Sequence, residues 1–411
     1  MLPNVTDNNY QFGFKGEHST TLCSFILSQT VQYYNNSGSN AYVLFLDASK
    51  AFDRVKHDKL VECLLKKNIC PLIVRIIFNM YTLSTVAVKW NGKPSTRFSF
   101  SNGVKQGGIL SPYLFSIYLE PLIDELRDSG FGCHVGQRAT NVLAYADDLA
   151  LLAPTITSLK LLIKICEKFS KEFSLNFNES KSVLVGFTCN MNPNIHEINV
   201  QMNGQKIQVQ NQEKYLGFNI RNKGNLYDLK KIITDMKVRT NTILNTFRCL
   251  DSTAKVNIFN AQCLYLYGCS LWNLEDPTIR NLETTWRKCS RLILNISPRT
   301  HNNLISDLME TPDIRTIIET RMINFAIKGI HHPNPLVSDL FLSGLINIKS
   351  SYFGKNLNII LRKHNINYLD IFTSNRVKIQ NVMGNSSWKA SLIKEIISLR
   401  DFKTYDFFNA R

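Results

Sequence analysis

The sequence predicts an α+β fold: an antiparallel sheet of split βαβ layout, followed by a separate helical module. Three observations carry this expectation. From residue 42 to residue 187 the apolar patterning runs strand, helices with an inserted hairpin, helix, hairpin, helix, strand, the element order of a split βαβ unit. In that layout the end of the first strand, Asp47, meets the tip of a later hairpin, Asp147 and Asp148. Charge is also uneven. Residues 1–185 hold 19 Lys and Arg against 15 Asp and Glu, net +4, whereas residues 186–411 hold 29 against 17, net +12. An acidic candidate site in a near-neutral region is therefore followed by a strongly basic one.

Taken in order, residues 1–18 are polar and irregular, with Gln11-Phe12-Gly13-Phe14-Lys15 read as a loop. A helix begins at Ser19 or Thr20, either of which can cap it, and carries Leu22, Phe25, Ile26 and Val31 inward. Residues 41–47 are a nearly continuous apolar run bounded by turn residues, which fits a strand buried on both faces. A carboxylate at the end of such a strand is costly unless something pairs with it. Asp53 is expected to cap the next helix, in which Val55, Leu60, Val61, Leu64 and Leu65 recur at helical spacing, and Pro71 opens another, through about Thr82. Residues 86–90 and 97–100 flank Asn91-Gly92, a hairpin signal. The glycine-containing stretch 102–108 then leads to a helix from Ser111-Pro112 to about Arg127, with Ser111 as its cap. It is either a loop that lets backbone approach a ligand closely or an ordinary connection.

Ala144-Tyr145-Ala146-Asp147-Asp148-Leu149 forms the tip of the central hairpin. Adjacent carboxylates suit a polar turn, and they equally suit a divalent cation serving phosphoryl transfer, which offsets their mutual repulsion. Leu159, Leu162, Cys166, Phe169 and Phe173 mark an amphipathic helix, and residues 183–187 a closing strand. Asn203-Gly204 joins two short strands, and residues 214–220 read as one more strand. Beyond Asn225 three amphipathic helices are expected at residues 229–250, 253–272 and 277–294. The domains expected are thus 1–224, 225–330 and a C-terminal region 331–411 of unassigned role.

Composition narrows the function. A 411-residue chain that is 44% hydrophobic can bury a sizeable core, and a net charge of +16 points to a polyanionic partner, nucleic acid or an anionic membrane surface. The ten cysteines lack the close spacing of structural zinc sites and read as reduced apolar residues of an intracellular protein. No apolar run approaches the roughly 20 residues that span a bilayer, and the N-terminus does not read as a signal peptide. The expected compartment is nucleus or cytoplasm, with no membrane partner.

Six stretches together resemble the reverse transcriptases of non-LTR (LINE-type) retrotransposons: Gln11-Phe12-Gly13-Phe14 with Ser19-Thr20; Leu46-Asp47-Ala48-Ser49-Lys50-Ala51-Phe52-Asp53; Gly103-Val104-Lys105-Gln106-Gly107 with Leu110-Ser111-Pro112; Tyr145-Ala146-Asp147-Asp148; Asn178-Glu179-Ser180-Lys181; and Lys214-Tyr215-Leu216-Gly217. A lone Tyr-x-Asp-Asp is weak, whereas six motifs in order are specific. The resemblance implies a right-hand polymerase of fingers, palm and helical thumb that transfers deoxynucleotides from dNTPs to a DNA primer on an RNA template. It implies that Asp47, Asp147 and Asp148 hold two Mg²⁺ ions, and that Phe52, Gln106, Gly107 and Tyr145 contact the nucleotide or template. Phe52 stands where a bulky ring excludes the ribose 2′-hydroxyl, or it is a core aromatic. Lys181 is either a general acid toward pyrophosphate or a solvated lysine. There are also departures. The match starts inside the first fingers motif, Gly16-Glu17-His18 stand where the family often has Arg or Lys, and Gly108 replaces the usual Ser or Asp. The upstream fingers segment, the endonuclease, an RNase H pattern and a terminal zinc knuckle are not seen. The expectation is a truncated copy of an element, or a partial gene model of one. The alternatives are a catalytically inactive nucleic-acid-binding remnant and a cellular or intron-type reverse transcriptase.

Overall fold

The computed structural model describes residues 8–99, 101–189, 198–222, 229–346, 351–364 and 366. The irregular start expected for residues 1–7 and most of the C-terminal region, residues 367–411, lie outside them. The chain divides into two compact units, residues 1–224 and 225–411. Among the described residues no helix is long and apolar enough to cross a membrane.

The first unit is built on a five-stranded sheet. Its strands are β1 (Ala41–Leu46), β2 (Val142–Tyr145), β3 (Asp148–Ala153), β4 (Val183–Phe187) and β5 (Gln208–Gln210), in the spatial order β5-β4-β1-β3-β2. β1 pairs antiparallel with β3 on one side and β4 on the other, and β2 pairs antiparallel with β3. The split βαβ layout is therefore present. β1 takes the centre because its side chains are apolar on both faces; Val43 and Leu44 are fully buried. The short, polar β5 runs parallel to β4 at the sheet edge, where few apolar side chains are required.

Helices cover this sheet, beginning with α1 (Thr20–Asn36), capped by Ser19, whose side chain accepts the Leu22 amide hydrogen. α2 (His57–Lys66) and α3 (Pro71–Thr82) follow, then α4 (Ser111–Asp128) and α5 (Ile156–Phe173). The apolar stripe of α5, including Leu159, Leu162, Cys166 and Phe169, is buried, as its spacing predicts.

Three local expectations are corrected. Asp53 does not cap a helix: residues Ala51–Arg54 form a 3-10 turn, and α2 starts only at His57, after Lys56. The delay has a cause, because the Phe52 and Val55 carbonyls accept the Val104 and Gly103 amide hydrogens from the glycine loop. Ser111 is the first residue of α4 rather than its cap, and its hydroxyl donates to the Lys105 carbonyl across that loop. Residues 214–220 are not one strand but part of a hairpin, Gln212–Tyr215 against Phe218–Arg221. Leu216 (φ 49°) and Gly217 (φ 82°) turn it in the left-handed conformation of a two-residue hairpin loop.

The second unit is helical. α6 (Leu229–Thr246), α7 (Ser252–Cys263) and α8 (Pro277–Leu294) form one packed group, and α10 (Ile314–Ile330), preceded by the short α9 (Asn302–Leu308), packs with α11 (Pro335–Ile346) and α12 (Tyr352–Lys363). The second predicted helix ends at Cys263, not Trp272. The chain instead turns through Gly268 (φ 69°) and a 3-10 segment, which delivers Trp272 to the core, fully buried beside Asn356; the Asn356 amide donates to the Trp272 carbonyl.

Candidate active site

The antiparallel register assembles the site. β1 pairs with β3 down to Leu46 opposite Leu149, so the next residue on each side, Asp47 and Asp148, stand side by side at the sheet end. Tyr145 pairs with Asp148 across the β2–β3 hairpin, leaving Ala146 and Asp147 as a two-residue turn. The three carboxylates therefore come together through strand pairing.

Their charges are coupled. The Asp148 carboxyl is pushed up to about 6, first by desolvation and then by the Asp147 and Asp47 charges. Its side chain nonetheless remains open to solvent, so water screens part of this crowding. A neutral Asp148 is favoured in the folded state, and its contribution to stability is full below the ordinary carboxylate range and lost as pH rises through about 6. Urea unfolding of the metal-free protein between about pH 4 and 7 should show that decline, and Asp148→Asn should flatten it. An unchanged slope would refute the crowding.

Among the described residues, Lys181 places its Nζ 3.9 Å from Asp47 Oδ2. Asn178 puts it there. The Asn178 amide hydrogen is donated to the Asp47 carbonyl (2.7 Å), and its side-chain oxygen accepts from the Ser180 and Lys181 backbone amides at 3.1 and 3.3 Å. This turn ties the Asn178-to-Lys181 motif to the end of β1.

The donor chemistry fits a hard divalent cation, since three carboxylates repel one another and offer only oxygen. They do not converge on one point, however. Among the described residues no group of three or more His, Cys, Asp or Glu is gathered closely enough to hold an ion.

Three of the other predicted residues, Phe52, Gln106 and Gly107, form a second cluster. Phe52 is half-buried, its ring stacked on Phe115 with centroids 4.6 Å apart. Gln106 is exposed and donates to Asp53 Oδ1 at 3.0 Å, while Gly107 beside it has a positive φ of 78°. Gly103 lies so close to Asp53 that an added Cβ would sit 2.8 Å from the Asp53 carbonyl oxygen, and the buried His57 ring bonds the Gly103 carbonyl (2.8 Å). The glycine loop is thus docked on the Phe52 turn. Tyr145 is half-buried at the end of β2. Among the described residues no recorded hydrogen bond or ion pair joins Phe52 or Gln106 to the three carboxylates.

Sequence reasoning missed Gln11 as a contact of the hairpin. Residues 10–13 form a bridge to β2: the Phe12 amide donates to the Ala144 carbonyl (2.7 Å), and the Ala144 amide to the Tyr10 carbonyl (2.9 Å). Gln11, 1% exposed, accepts from the Ala146 amide (2.9 Å) and donates to the Ala146 carbonyl (3.3 Å). A buried glutamine has no periodic signature. The one local signal is Gly13 between two phenylalanines, a glycine whose added Cβ would sit 2.5 Å from the Ala146 nitrogen.

The family model described as "Reverse transcriptase (RNA-dependent DNA polymerase)" matches residues 2–220, more than half the chain. The chain belongs to the reverse transcriptase family. It is 31% identical over 168 residues to the Pol polyprotein of the type-2 retrotransposable element R2DM from Drosophila melanogaster, an alignment that covers 41% of this chain and 15% of that protein. Over longer spans it is 23% identical to the probable RNA-directed DNA polymerase of the X-element and 22% identical to that of the mobile element jockey, both from Drosophila melanogaster. These alignments cover 80% and 82% of this chain, and 37% of each relative. The chain thus spans a minor part of the length of these relatives. The expected kinship with reverse transcriptases of non-LTR retrotransposons is met in them, and all six sequence motifs lie wholly within the matched residues. Apo telomerase from Candida tropicalis also aligns, at 13% identity and a TM-score of 0.42 over 94% of this chain and 57% of that one, a likeness too low to support an argument.

Proposed function

We propose that this chain is the polymerase part of a retrotransposon reverse transcriptase, extending a DNA primer on an RNA template with dNTPs. The reading is carried by the register that sets Asp47 beside Asp148 at the tip of the Asp147 hairpin, inside the matched residues. Residues 1–224 serve as fingers and palm. The helical residues 225–330, from the more basic part of the sequence, serve as a thumb that grips phosphates without reading bases. The protein acts on nucleic acid in the nucleus or cytoplasm.

Asp47 and Asp147 are assigned as ligands of two Mg²⁺ ions, with Asp148 completing the acidic field. Two bound Mg²⁺ ions supply activation of the primer 3′-hydroxyl and neutralisation of charge on the triphosphate. Lys181, whose Nζ already lies within 4.0 Å of Asp47, donates a proton to the leaving pyrophosphate. Phe52, fixed against Phe115, presents a rigid ring under the sugar and disfavours a 2′-hydroxyl. Gln106, Gly107 and Tyr145 line the nucleotide and template.

Primer extension tests the proposal. The expected result is incorporation of dNTPs on an RNA template, its loss on chelation, and markedly slower incorporation of rNTPs. Protein that binds primer–template but adds no nucleotide would overturn the polymerase reading, and equal use of rNTPs would overturn the role of Phe52.

A further inference from the structure

The turn that carries Asp147 holds a conformation its own residues do not favour. Ala146 has φ 58°, in the left-handed region that costs an alanine about 1 kcal/mol or more. Such a residue persists only where its surroundings over-determine it. Among the described contacts, those that hold Ala146 from outside its hairpin come from Gln11, 135 residues earlier.

The Gln11 side chain holds both backbone groups of Ala146, its N–H and its carbonyl. Its Oε1 accepts the Ala146 and Gly13 amide hydrogens, each at 2.9 Å, and its Nε2 donates to the Ala146 carbonyl at 3.3 Å. Donor and acceptor are both used, so neither Glu nor an apolar side chain reproduces the set. Gly13 seats the strand directly over the Ala146 nitrogen, and the paired Phe12 and Ala144 backbones fix the approach. The glutamine is buried and touches neither carboxylate in any recorded hydrogen bond, so it acts through the turn.

We propose that Gln11 is a positioning residue of the polymerase site: its amide holds Ala146 left-handed and thereby sets where Asp147 and Asp148 stand for a divalent cation. This inference rests on the proposed function. It accounts for why a stretch outside the sheet's own strands is bridged to the catalytic hairpin.

The test is a mutant cycle. Gln11→Met keeps side-chain bulk and loses the amide. Ala146→Gly removes the penalty on positive φ, so it should compensate only if Gln11 acts through that backbone. Two quantities are read: the half-saturating Mg²⁺ concentration in primer extension, and Mn²⁺ binding to the protein by electron paramagnetic resonance, which needs no turnover. Gln11→Met is expected to weaken both by about tenfold or more, the usual scale for supports of metal ligands, with the KM for primer–template nearly unchanged. Adding Ala146→Gly should recover most of that loss. Unchanged cation binding in Gln11→Met, or a loss that Ala146→Gly does not recover in a double variant melting like Gln11→Met, would overturn the inference. If the unmutated chain extends no primer, the polymerase reading fails, yet the Mn²⁺ titrations still decide the role of Gln11. Should Gln11→Met fail to fold, Gln11→Glu, which keeps the acceptor, is read by the same two measurements and the same rescue.

Discussion

Asp147→Asn is expected to lower primer extension by at least about a thousandfold, because a lost metal ligand forfeits several kcal/mol of transition-state stabilisation and each 1.4 kcal/mol is tenfold in rate. The substitution is nearly isosteric and lies in a two-residue turn whose partner, Ala146, is held by Gln11. The backbone is therefore expected to stay in place. Removing one of three neighbouring negative charges also relieves the repulsion that raises the Asp148 carboxyl, so that group should titrate lower in the variant, and melting should be unchanged or slightly higher. This combination separates a chemical loss from a folding loss. Extension that survives the substitution in well-folded protein would sink the assignment of Asp147.

The second large effect is on stability, in the helical unit. Glu319 on α10 is fully buried, and its carboxylate accepts from Arg315 Nε (3.0 Å), Lys363 Nζ (2.8 and 2.9 Å) and His364 Nε2 (3.0 Å). Arg315 belongs to the same helix, whereas Lys363 and His364 come from the end of α12. The group thus fastens the last described helix to α10. Burial alone would raise the Glu319 carboxyl, and it is the largest single influence. The hydrogen bonds and charges of Lys363, His364 and Arg315 together outweigh it and hold the carboxyl below its usual range.

Glu319→Ala is expected to cost about 3–5 kcal/mol in denaturant unfolding, since it leaves cations without their buried partner. A change below about 1 kcal/mol, the range of exposed pairs, would show that solvent already screens the cluster. The pH dependence follows from the lowered value. The stability Glu319 confers is present above the ordinary carboxylate range and lost as pH falls through its lower folded-state value. The acid limb of the stability curve should therefore be shallower in Glu319→Gln than in the unmutated chain.

Much of this structure was legible in the sequence where the governing physics is local. Pro71 and Pro277 start their helices and the apolar spacing ends them at Thr82 and Leu294, as observed. Asn91-Gly92 and Asn203-Gly204 turn their hairpins at positive φ. β1 declares its central place by being apolar on both faces. The candidate site was legible for a similar reason, because the element order of a split βαβ unit requires Asp47 to meet the hairpin tip.

What failed were assignments whose competing partner, near or far in the chain, is brought up only by the folded loop or hairpin. Asp53 and Ser111 look like caps, and each is suited to that role locally. Asp53 instead receives Gln106, 53 residues on, and Ser111 bonds the Lys105 carbonyl within the docked loop. Leu216 reads as a strand residue but turns a hairpin between Tyr215 and Phe218, both buried. A long-range contact outbids a local preference of about 1 kcal/mol whenever it buries more apolar surface or satisfies more polar groups.

The sequence by itself determined most of the elements, the split βαβ layout and the three carboxylates, because periodicity and turn chemistry are properties of neighbouring residues. Only the tertiary structure decided how the hairpin that carries two of them is held. Ala146 is left-handed because Gln11, arriving from 135 residues away, saturates both of its backbone groups. No local pattern encodes that contact, since its energy exists only once the chain has folded.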